Sequence, residues 1–298
     1  MRTYIVTIGP WSKEVEAENH NQARSIGVQV LTKEAEEIHG MDLKAKPLWD
    51  IAKIKLRIDH RKVALSFKKE TQSIFPKEDR EWVTGFWEGD SGIYYQGSPI
   101  ISFPQKEPQI LYYIKDTFNL VSEPKPGVEI WNLDISVKAG AYLILKVLME
   151  NVVSVSKTQQ INKILNLMGQ PNITSHKPTF PWLGGFWDAE GSPILSDNTL
   201  QLSISQKEVE VLEEIQDLVG FGRLHRWKSS GFTKNPQWYL EFGGYQARLL
   251  IPYILKYSKN EKKRSRLLSM VETLSSRARI WKGYHEQLNQ YYSNPHNF

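Results

Sequence analysis

Between about residues 81 and 276 the order of apolar and polar positions runs through the same programme twice. Trp82-Val-Thr-Gly-Phe-Trp-Glu-Gly-Asp90 is a run of apolar or small positions ending in acids, which predicts one short helix with a buried body. Trp182-Leu-Gly-Gly-Phe-Trp-Asp-Ala-Glu190 repeats it. Strand patterns follow in both copies, Ile101-Ser-Phe-Pro-Gln-Lys-Glu107 and Leu202-Ser-Ile-Ser-Gln-Lys-Glu208. Each leads into a helix-period segment, Pro108–Leu120 and Val209–Val219, and then a Trp-containing strand, Trp131-Asn-Leu-Asp-Ile135 and Trp238-Tyr-Leu-Glu-Phe242. The second copy has a longer hairpin around Ser229–Pro236, and both copies close on long helical stretches, Ala139–Met168 and Gln246–Ser276. An internal repeat at this period predicts two α+β halves related by pseudo-symmetry.

Residues 1–75 stand outside the repeat and predict a small α/β module. Thr3–Ile8 and Glu14–Glu18 read as strands around the Gly9-Pro10 break, and a helix runs from about Gln22 to His39, ended by Gly40. In Lys53-Ile-Lys-Leu-Arg-Ile58 strict alternation puts three cations on one face, fitting either a solvated edge strand or a phosphate-contacting strip. The module either lengthens a nucleic-acid footprint or packs on the first half. The division expected is 1–75, 76–171, a Pro- and Thr-rich linker at 172–181, and 182–298.

The chain of 298 residues has no cysteine, which excludes a disulfide framework and a thiolate zinc site. No secretory pattern or membrane-length apolar run occurs, so a soluble, intracellular, non-secreted protein is expected, in cytoplasm or organelle. Net charge is +5, and residues 181–298 carry 15 Lys and Arg against 12 Asp and Glu. Any contact with nucleic acid therefore comes from local basic faces rather than from a polycationic tail.

The motifs hold the candidate chemistry. Acids at a helix C-terminus have the wrong sign for the macrodipole, and a bound cation would offset them. Gly85 and Gly184/Gly185 leave room for two helix backbones to approach closely, with the Phe and Trp side chains packing outward into each half's own core. That arrangement sets Asp90 and Glu190 side by side, where repulsion calls for a divalent ion between them.

With these residues the sequence resembles the LAGLIDADG homing endonucleases in their single-chain, two-motif form, over roughly Glu81 to Ser276. The eighth letter of the motif falls on Asp90 and Glu190, the sixth on Glu88 and Asp188, and the ninth, usually Gly, is Ser91 in the first copy. The resemblance implies two αββαββα halves forming antiparallel β saddles across double-stranded DNA, in a monomer. It implies Mg2+ held by Asp90 and Glu190 with the carbonyls of Gly89 and Ala189. Gln105 and Gln206 match the family's pocket glutamine, and Lys138 is the candidate basic residue of the first copy. DNA contacts are assigned to Arg223, His225, Arg226, Lys228 and Lys234, to Lys106 and Lys207, and to Lys262. The function implied is site-specific, metal-dependent hydrolysis of both strands. The alternatives are a maturase acting on intron RNA and a non-cleaving DNA-binding protein of the same fold.

Overall fold

In the computed structural model, residues 2–9, 11–39, 45, 48, 52–56, 75–196, 198–227, 237–277, 281, 283–286 and 288 are described. The N-terminal module is a three-stranded antiparallel sheet of β1 (Arg2–Ile8), β2 (Trp11–Ala17) and β3 (Lys53–Leu56), with β1 central, covered by α1 (His20–His39). Alternation decides the covered face: Tyr4, Val6, Ile8, Val15 and Ala17 are buried with Ala23, Val28 and Leu31 of α1. The basic strand is the edge β3, pairing Ile54 with Val6 and Leu56 with Tyr4, while Arg57 and Ile58 lie outside the described residues.

The first half runs α2 (Lys77–Asp90), β4 (Gly92–Tyr95), β5 (Pro99–Gln105), α3 (Gln109–Thr117), β6 (Lys125–Pro126), β7 (Trp131–Ile135), α4 (Lys138–Asn151) and α5 (Val155–Leu167). The second runs α6 (Phe180–Glu190), β8 (Gly191–Ser196), β9 (Thr199–Gln206), α7 (Val209–Val219), β10 (Arg223–Trp227), β11 (Gln237–Gly243), α8 (Tyr245–Tyr257) and α9 (Glu261–Arg277). Each half contains one four-stranded antiparallel sheet, ordered β4-β5-β7-β6 and β8-β9-β11-β10, so strand order is the same in both. Period-2 burial fixes the inner faces. Ile101, Phe103, Leu133 and Ile135 enter the first core, and Leu200, Leu202, Ile204, Leu240 and Phe242 the second. The opposite faces carry Tyr94, Ile100, Ser102, Asn132 and Asp134 in one half and Gln201, Ser203, Ser205, Tyr239, Glu241, Arg223 and His225 in the other, as the register requires.

The described part of the N-terminal module sits on the second half rather than on the first, where one of the two sequence readings put it. Gly9, at φ +57°, lies so close to Phe221 that a Cβ there would be 2.3 Å from the ring. Tyr245 and Leu249 of α8 pack against the module's apolar core. Only a residue without a side chain, and free to adopt positive φ, lets this turn seat on the end of α7.

Candidate functional site

The site is built on a close approach of α2 and α6. A Cβ placed on Gly85 would stand 2.0 Å from the Trp182 carbonyl oxygen, and one on Gly185 would stand 1.9 Å from that of Trp82. One turn on, Gly89 faces the Ala189 methyl group, so the acidic ends are drawn together. Gly184 does a different job from the one its sequence position implies: it faces Tyr257 of α8. Phe86, Trp87, Phe186 and Trp187 are buried in their own half's core as expected. The indole N–H groups of Trp82 and Trp182, however, reach across the helix pair.

Those indoles end on the first acid of the opposite motif. Glu88 accepts from Trp182 Nε1 at 2.8 Å and from the backbone N–H groups of Val153 (2.8 Å) and Ser154 (2.6 Å). Asp188 accepts from Trp82 Nε1 at 3.0 Å, from Lys259 N at 2.6 Å and from the Ser258 hydroxyl. Both carboxylates thus satisfy orphan donors where the long C-terminal helical stretches break, between α4 and α5 and between α8 and α9. Burial pushes Glu88 up to about 7 and Asp188 up to about 6, against the pull of these hydrogen bonds. They are joints, holding helix pair, helix break and partner half in one network.

The second acids, Asp90 and Glu190, have no such partners among the described hydrogen bonds. Burial raises both, and the neighbouring Asp90 charge helps take Glu190 up to about 7. Two lysines oppose this. Lys157 of α5 donates to the Ser91 carbonyl, and Lys263 of α9 donates to the carbonyls of Trp187 (3.0 Å) and Ala189 (3.1 Å). Burial lowers the pKa of each lysine, while the surrounding carboxylates raise it. Lys157 and Lys263 thus place two ammonium groups at these helix C-termini, where the macrodipole favours them, an offset that the sequence reading did not include. Lys138 does not take this part. It is exposed at the start of α4 and is not among the residues lining the cleft beside Asp90.

Sequence reasoning missed Lys157 and Lys263, although a signal existed. Ser154-Val-Ser-Lys157 and Asn260-Glu-Lys-Lys263 occupy the same place in the repeat, each opening a helix. In both, the first residue caps the lysine's own N–H, Ser154 Oγ at 3.2 Å and Asn260 Oδ1 at 3.0 Å.

A cleft of about 510 Å3 opens beside these groups, lined by Asp90, Gln105, Lys106, Lys262, Lys263 and Arg266 among others. The Gln105 and Gln206 side-chain oxygens turn back to accept from Lys106 N (2.8 Å) and Lys207 N (2.7 Å). Lys262, one of the expected DNA contacts, pairs with Glu107 of the other half at 2.5 Å. On β10, Arg223 is exposed opposite Glu241, His225 stacks on Tyr239 with centroids 5.8 Å apart, and Arg226 lies 6.0 Å over the Trp238 ring. Lys228, Lys234 and the Ser229–Pro236 hairpin lie outside the described residues.

Among the described residues no group of three or more His, Asp or Glu side chains forms a metal cluster. What Asp90 and Glu190 offer is a pair of hard oxygen donors held beside each other, both raised by burial despite Lys157 and Lys263. Such a pair fits a hard divalent cation that keeps much of its water.

No family model and no curated protein sequence matches the chain. Solved structures do. A LAGLIDADG meganuclease, I-SmaMI, bound to uncleavable DNA, aligns with TM-score 0.54 at 16% identity over 73% of this chain and 97% of its own. I-AabMI, bound to uncleaved DNA, gives 0.52 at 16% over 71% and 96%, and I-GzeII, in complex with its DNA target, gives 0.52 at 16% over 70% and 97%. The protein has the LAGLIDADG endonuclease fold, with the N-terminal module added. No helix among the described residues is long and apolar enough to cross a membrane.

Proposed function

We propose that the protein is a site-specific double-stranded DNA endonuclease, acting as a monomer. The observation that carries this reading is the pairing of Asp90 and Glu190 at the ends of the α2–α6 pair, flanked by Lys157 and Lys263 and open to a cleft. DNA-bound meganucleases of the same fold support it. The polar sheet faces suit the major groove, where all four base pairs differ in donor and acceptor pattern. Arg223, with Lys106 and Lys207 at the strand ends, supplies cations for base edges and phosphates.

Asp90 and Glu190 would hold Mg2+, with carbonyl oxygens of the motif turns adjacent; that of Ala189 already accepts one bond from Lys263. When bound, such an ion supplies Lewis acidity to the phosphate and acidifies water, the two needs of phosphodiester hydrolysis. The remaining work falls to the chain. Lys157 and Lys263 stand where negative charge develops, and preorganised cations there favour the transition state over the ground state. Gln105 and Gln206 can orient water once their amides turn toward the substrate.

The target is recovered by selecting from a randomised duplex library, and cleavage is then followed with Mg2+ and with EDTA. Asp90→Asn and Glu190→Gln are expected to lower the cleavage rate at least about 100-fold while leaving duplex affinity within a few-fold. Wild-type rates in either variant would overturn the assignment of these acids.

A further inference from the structure

The two sides of the acid pair are furnished differently, and the difference sits at matched positions. Counting from the capping residues Ser154 and Asn260, α5 and α9 run in step, so that Lys157 corresponds to Lys263, Ser156 to Lys262, and Gln160 to Arg266. The glutamate after each Gln-Lys pair crosses to the other half in both cases. Glu107 is met by the ammonium of Lys262 at 2.5 Å, whereas Glu208 is met by the hydroxyls of Ser154 (2.9 Å) and Ser156. Glu208 is thus held by neutral donors, and it acts electrostatically on Lys157. Arg266 lies three residues after Lys263, hence on the same helix face, and it is an exposed guanidinium lining the cleft that holds Asp90 and Gln105. Its counterpart Gln160 carries no charge.

We propose that Arg266 is a phosphate-clamping catalytic residue serving one of two unequal cleavage centres, so that the strand in the Asp90–Gln105 cleft is cut first and a nicked duplex precedes the double-strand break. This rests on the nuclease reading above. A planar guanidinium binds two phosphate oxygens at once, which glutamine cannot do. It also faces a group whose negative charge redistributes in the transition state, where a fixed cation acts most strongly. The other centre has a neutral Gln160 and a Glu208 held by hydroxyls in the same places, so its strand lags.

The test uses the full chain and a selected target duplex labelled differently on each strand, with single-turnover rates measured at saturating protein. The native chain is expected to cut one strand at least about 10-fold faster than the other. Arg266→Gln should slow that same strand about 10-fold or more and leave the slower strand unchanged, while Gln160→Arg should speed the slower one. A merely structural Arg266 would slow both strands together, and that result overturns the proposal. So does equal cutting by the native chain, or slowing confined to the lagging strand. Failure of the native chain to break either strand with Mg2+ or Mn2+ overturns the nuclease reading as well, and is distinguished by that total loss.

Discussion

The first and second halves share what they must build jointly and differ in what each presents alone. Shared are the glycine contacts Gly85 and Gly185, the crossed indoles Trp82 and Trp182, the helix-capping acids Glu88 and Asp188, and the lysines Lys157 and Lys263. The glycines and indoles touch the opposite half, so a change in one copy alone would break a contact made by both, while each lysine holds the end of its own half's motif helix. The differences lie outward. The edge strand is two residues in the first half, Lys125–Pro126, and five in the second, Arg223–Trp227. The described residues of the N-terminal module pack on the second half, at Phe221, Tyr245 and Leu249. The joint is thus built alike in both copies, and the surfaces beside it differ.

The sharpest way to break the shared part is a side chain in the helix pair. Gly185→Val puts atoms within 2 Å of a backbone oxygen that belongs to the opposite helix, so no side-chain rotation relieves it. We expect a loss of more than about 3 kcal/mol in a urea melt, with Gly85→Val nearly as severe. Gly92→Ala, where a Cβ meets nothing within 4 Å, serves as the control and should stay within about 0.5 kcal/mol. Equal melts for Gly185→Val and the control would mean that the halves do not meet as described.

A pH series tests the electrostatics of the same joint. Glu88 and Glu190 are raised to about 7, Asp188 to about 6, and Asp90 upward, so the folded state binds more protons than the unfolded one between about pH 4.5 and 7. Stability then falls as pH rises through that window, since the unfolded state releases protons first. In EDTA the melting temperature is expected to drop from pH 5 to pH 8, and added Mg2+ should recover part of the loss at pH 8 by binding the ionised pair. A melting temperature that climbs steadily across this range would show that burial does not dominate these carboxylates.

Much of the shared part was legible in sequence because it rests on short, strict patterns. The strand patterns that begin at Leu202 and Trp238 fall on β9 and β11, and the α7 helix appears at Val209–Val219 as its periodicity requires. The glycines foretold a close helix pair. What pattern could not supply was tertiary partnership. Lys157 and Lys263 read as polar positions on helix faces, and only folding brings them to carbonyls 66 and 74 residues away. The role of Glu88 and Asp188 was hidden for the same reason, since two carboxylates on one turn look alike until one of them finds donors. Docking of the N-terminal module depended on shape at Gly9 and Phe221, which no periodicity encodes.

The smallest effect separates the two cross-half glutamates, which do the same job by different chemistry. Glu107 and Lys262 form an ion pair whose lysine side chain is 77% exposed, so it is worth less than about 1 kcal/mol and salt weakens it further. Glu208 instead accepts from two hydroxyls in a partly buried setting, where loss of an acceptor leaves the donors unpaired and costs about 1–2 kcal/mol. Lys262→Met should therefore shift a urea midpoint only at low salt, its effect vanishing by 1 M NaCl. Glu208→Ala should cost more and keep most of its cost at high salt, because hydroxyl hydrogen bonds are little screened. Two identical salt profiles would mean that the second half grips the first as loosely as the first grips the second, and the asymmetry drawn between the centres would lose its structural footing.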